Sequence, residues 1–99
     1  MPFTIAKLHG RLILKIEGSV TVRDARELAL RLDEALEEDT PVAVDAAGVE
    51  DIDTAILQLL CALRKTAAAM PIDNPSPAFL SAVERCGLRR ELPGAREGL

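Results

Sequence analysis

The chain contains no tryptophan and no tyrosine, and its only aromatic residues are Phe3 and Phe79. Its core must therefore come from Leu, Val, Ile and Ala, and it is poor in the side chains on which single-stranded nucleic acid stacks. The formal net charge is −4, and the Arg89–Arg90 pair is too short to make a basic stripe. Phosphate-neutralising surface is missing, so nucleic acid is excluded as a partner. There is one histidine, His9, and no Cys-x-x-Cys pair, which leaves a zinc site almost without ligands. Cys61 and Cys86 lie far apart in apolar helical patterns, the usage expected of reduced core residues in a cytoplasmic protein. No apolar run is long enough to span a bilayer, since Arg64 and Lys65 close the longest one, and direct membrane insertion is not expected. MPFTIAKLHG has no apolar segment behind basic residues, so it does not read as a signal peptide. Phosphate-cradling glycine loops and the G-x-S-x-G elbow are absent too. An enzyme is not expected, and neither is a catalytic residue, a metal or a cofactor.

What is present is ordinary globular material. Of 99 residues, 48% are hydrophobic and 28% charged, which suits one domain over residues 1–99. FTIAKL and RLILKIEG (11–18) alternate as half-buried strands around a tight His9-Gly10 turn, so they pair antiparallel. Thr21 with Asp24 resembles a capping box, and Val22, Ala25, Leu28, Ala29, Leu32, Ala35 and Leu36 follow the helical period. The acidic run at 37–39 reads as a solvated helix end and turn before Pro41. PVAVDA (41–46) reads as a central strand, AAGVEDID as a loop, and TAILQLLCALRKTAAA as a second helix. MPID (70–73) is a weak last strand with Pro71 at its start or on an edge. Ser76, Pro77 and Gly87 mark the N-cap, first residue and stop of a third helix, and the tail adds at most a frayed turn before Pro93-Gly94. The order predicts an α/β fold. Its small mixed sheet is mostly parallel with an antiparallel first strand, and carries about three to four helices.

One corner carries the chemistry. Asp53 and Thr54 sit where the loop enters the second helix, and either can cap it by accepting N–H groups of its first turn. A phosphate on Thr54 would meet free N–H groups but also the repulsion of Asp51 and Asp53. A carboxylate site among Asp45, Glu50, Asp51 and Asp53 has no basic or catalytic companion. The helix that follows is apolar nearly all round, with Ile56, Leu57, Leu59, Leu60, Cys61, Ala62 and Leu63 interrupted only by Gln58. In so small a domain that predicts an exposed apolar patch for a partner, or a homodimer seam, unless the first and third helices flank this one and cover it.

LILKIEG, the helix after Thr21, PVAVDAAGVEDIDTAILQLLCAL and NPSPAFLSAVERCGL together resemble the STAS domain over roughly residues 3–90. The family occurs in bacterial anti-sigma-factor antagonists and at the ends of sulfate transporters. The resemblance implies a non-catalytic protein-interaction module that regulates signalling or transcription by partner switching. Its partner, an anti-sigma-factor kinase-like protein, docks at the N-terminus of the second helix. In the family's Asp-Ser-Ser-Gly-Leu motif the second serine takes the phosphate. Here Asp53 matches the Asp, Thr54 the first hydroxyl, Ala55 the acceptor, Ile56 the glycine and Leu57 the leucine. With Ala55 in that place the phospho-switch has no ordinary acceptor, and only Thr54 could substitute. Asp-Thr followed by a small residue is also similar to STAS accessory subunits of lipid-transport ATPases, and STAS proteins of chemotaxis and two-component settings look similar. The expected partner surface is Glu50, Asp51, Asp53, Thr54 and Ala55 with apolar area from Ile56 and Leu57.

Overall fold

The computed structural model describes residues 2–36, 40–66, 70–88, 90 and 92. The acidic run at 37–39, the end of the expected second helix at 67–69, and Pro93-Gly94 lie outside them. The elements are β1 (Phe3–Leu8), β2 (Arg11–Val20), α1 (Val22–Ala35), β3 (Val42–Ile52), α2 (Thr54–Thr66), β4 (Ile72–Asp73) and α3 (Pro77–Arg85). They form a four-stranded sheet in the order β1-β2-β3-β4. The first pair is antiparallel, with Ile5 opposite Leu14, and the other two pairs are parallel. This is the expected mixed α/β fold.

The β1–β2 turn is as tight as its sequence implies. His9 and Gly10 have φ of 51° and 76°, and two positive φ values in a two-residue hairpin match the right-handed twist of the strands. Phe3, Leu12, Leu14 and Ile16 then fall on one buried face, while Thr4, Ala6, Arg11, Lys15 and Glu17 lie exposed on the other. Alternation alone accounts for this part.

β3 departs from expectation. The segment read as a loop, AAGVEDI, continues the strand to Ile52 beside a β2 that itself runs on to Val20. Two register shifts make this workable. Lys15 pairs with Asp45 but Glu17 with Gly48, and Gly18 pairs with Val49 but Ser19 with Asp51. Each shift is a β-bulge that places one extra residue in β3. Each extra residue moves the inward phase by one, so Ala46, Val49 and Ile52 are all buried at a spacing of three. A strand with that spacing does not read as period two, which is why it resembles a loop in sequence.

The second departure is α2. Ile56, Leu57 and Leu60 have no exposed surface, Leu63 retains 5%, and Leu59 and Cys61 are half-buried. The exposed large hydrophobics among the described residues are Leu8, Val22 and Leu30, none of them on α2. The expected patch of exposed large apolar side chains on this helix is therefore not found among the described residues. The sheet and α1 absorb it: Leu28 and Leu32 of α1 belong to the same core as Leu12, Leu14, Val42 and Val44. α3 completes the core with Phe79, Ala82 and Val83.

Candidate functional site

β2 and β3 end side by side, with Val20 opposite Ile52. Each strand passes almost directly into a helix, so two helix N-termini arrive at one edge of the sheet. At the first, Thr21 is the N-cap: its hydroxyl accepts the Arg23 N–H at 3.3 Å, and Asp24 accepts the Thr21 N–H at 2.9 Å. The capping box read from sequence is present, with Asp doing what Glu usually does.

Asp53 is the joint between the two. Its N–H donates to the Val20 carbonyl at 3.0 Å, adding one more rung to the ladder. Its own carbonyl accepts from Ile56 and Leu57 at 3.1 and 3.2 Å, which starts α2. Its carboxylate accepts the Val22 N–H of α1 at 2.8 Å. The sequence predicts this carboxylate as a cap on its own helix, whereas the bond recorded for it runs to the neighbouring helix. The reason is geometric: the strand pairing leaves the first free N–H of α1 beside the residue that follows Ile52.

Thr54 is exposed, and its Oγ1 lies 3.3 Å from Cys86 Sγ in a shared hydrogen bond. Asp51, Ile52, Asp53 and Thr54 face Ala82, Arg85 and Cys86 across a shallow cleft of about 330 Å³. α3 is fixed there by Ser76, which is buried. Ser76 Oγ donates to the Val49 carbonyl at 2.7 Å and accepts the Phe79 N–H at 3.1 Å. Cys61 and Cys86 are not in disulfides.

Of the residues expected at a partner surface, Glu50, Asp51 and Thr54 are exposed, and Asp53 and Ala55 are half-buried. Glu50 and Asp51 belong to the strand end rather than to a loop. Ile56 and Leu57 are fully buried and offer no contact area, because both point into the core shared with the sheet. The structure adds Val22, Arg85 and Cys86 to the corner. No local signal announces them, since each reaches the site from another helix.

A small mixed sheet whose central parallel strands deliver two helix N-termini to one edge, without a glycine phosphate loop, defines a STAS-type module. The chain belongs to that family: the family model described as "Mlab, STAS domain" matches residues 3–94. No curated protein matches the chain. Among the described residues no helix is long and apolar enough to cross a membrane.

Proposed function

We propose that this STAS domain is a non-catalytic cytoplasmic docking module whose partner binds over the end of β3 and the start of α2. Glu50, Asp51, Asp53, Thr54 and Ala55 form the contact, and the buried Ile56 and Leu57 only hold it in place. The observation that carries this reading is the Asp53 joint, which fixes two helix N-termini, an exposed hydroxyl and two exposed carboxylates in one rigid corner. Preformed polar groups on rigid elements favour binding because little ordering is left to be done. Two cysteines outside any disulfide are in keeping with a reducing compartment.

Ala55, aligned with the family's acceptor position, favours one partner class over the other. Ala55 has no hydroxyl, so a kinase-like anti-sigma partner could not release itself by modifying that position. An accessory role, bound constitutively to the ATPase of a lipid-transport machine, needs no such switch and agrees with Asp53-Thr54-Ala55. Regulation of signalling or transcription is the second reading, favoured by the exposure of Thr54.

The test is capture from native cytoplasm with wild type, Thr54→Glu and Thr54→Val, read by mass spectrometry for both partner and phosphate. An ATPase retained by wild type and Thr54→Val, and lost with Thr54→Glu, supports the accessory reading. A kinase-like partner with phosphate recovered on Thr54 supports the second. Equal retention by all three chains would sink docking at this corner.

A further inference from the structure

We infer that the exposed first turn of α1, with Val22, Arg23 and Arg26, is the other half of the docking surface. It fits a protein partner that presents an apolar socket bordered by carboxylates. This rests on the docking reading above and adds the chemistry of the partner.

The fold does not explain these three side chains. Val22 is 62% exposed at the first position of α1 and contributes nothing to the core. Arg23 and Arg26 are exposed and set positive charge near the positive end of the helix dipole, where local folding disfavours it. Among the described residues neither makes an ion pair; the pair on this helix is Arg31 with Glu27. Two carboxylates of the corner are occupied by backbone, Asp24 on the Thr21 N–H and Asp53 on the Val22 N–H. Both guanidinium groups thus remain open to solvent. Arg26 lies four residues from Val22 and three from Arg23, so it neighbours both on the helix surface.

An apolar knob flanked by arginines calls for an apolar pocket flanked by acids, because guanidinium pairs bidentately with carboxylate and Arg is enriched at protein interfaces. The bond from Val22 to Asp53 makes this turn continuous with Thr54. Glu50 and Asp51, exposed at the adjoining strand end, would repel a uniformly anionic lipid surface, whereas a protein can set its carboxylates against the arginines alone.

The experiment is an amide NMR titration of the full chain with three probes. These are a blocked peptide of leucines flanked by glutamates, its lysine counterpart, and phosphatidylglycerol vesicles. The glutamate peptide is expected to shift the amides of Val22, Arg23 and Arg26. Its affinity for the wild-type chain should fall at high salt, and should be about tenfold lower in the Arg23→Glu/Arg26→Glu variant. An equal response to the lysine peptide, silence at this turn, or binding of vesicles alone would overturn the inference. The same double variant in the capture experiment separates the two claims. If it keeps a partner that Thr54→Glu loses, this inference fails and the docking reading stands. If it loses a partner that Thr54→Glu keeps, the α1 surface stands and the Thr54 corner does not.

Discussion

The carboxylate of Asp53 holds the backbone N–H of Val22 at 2.8 Å, although the two residues are thirty-one positions apart in the chain. One side chain thereby couples the entry of α2 to the entry of α1. A partner that moves either helix end must strain or break this bond. The geometry of the corner is thus set by a tertiary contact rather than by either helix alone.

Replacing Asp53 by Ala removes the acceptor and leaves the first N–H of α1 to solvent. Stability should fall by about 1–2 kcal/mol, as for loss of a capping side chain. Asp53→Asn keeps an acceptor oxygen and should lose less. Urea titration gives the size of the effect, and amide exchange at Val22 gives its location. Unchanged exchange there would mean that the bond does not hold the turn.

Gly48 faces β2 so closely that an added Cβ would lie 2.8 Å from the Cβ of Glu17. Gly48→Ala should therefore push the two strands apart at the first bulge and cost about 1–3 kcal/mol. Adding Glu17→Gly removes the opposing Cβ. A double-mutant cycle should show the Gly48→Ala penalty shrink in that background, and additive effects would refute the steric account.

Thr54 and Leu57 are three residues apart but belong to different parts of the molecule. Thr54→Glu at the exposed position should change stability by less than about 0.5 kcal/mol, while altering capture of the partner. Leu57→Ala opens a cavity in the core and should cost about 2–5 kcal/mol. Thermal melts of the two variants distinguish the roles. A Leu57→Ala chain as stable as wild type would restore Leu57 as surface.

Ser76 serves two partners at once, capping α3 and donating to the Val49 carbonyl of β3. Ser76→Ala should cost about 1–2 kcal/mol, since it removes a buried cap as well as a strand–helix tie. Exchange protection in the first turn of α3 should fall with it. Ser76→Thr keeps the hydroxyl, and its loss should be smaller.

Much of the fold is legible in the chain because the signals are local. A His9-Gly10 turn between alternating strands, the Thr21–Asp24 box, and Ser76-Pro77 before an amphipathic run each specify their element within a few residues. The short β4 after Pro71 is legible for the same reason. β3 is not, because its bulges shift the buried positions to a spacing of three, and pattern reading assumes two. The burial of α2 is hidden for another reason: an apolar helix looks the same whether its partners are its own sheet and α1 or another protein.

The sequence by itself determined the element order, the caps of α1 and α3, and the family. Those features depend on residue identity and short-range spacing. Only the tertiary structure decided that Asp53 serves the other helix, that Ile56 and Leu57 are core, and that Val22 and Arg85 stand at the same corner as Thr54. Those outcomes follow from the parallel pairing of β2 with β3 and from the packing of three helices around it. That pairing joins residues distant in sequence, and its register is shifted by bulges that no local periodicity records.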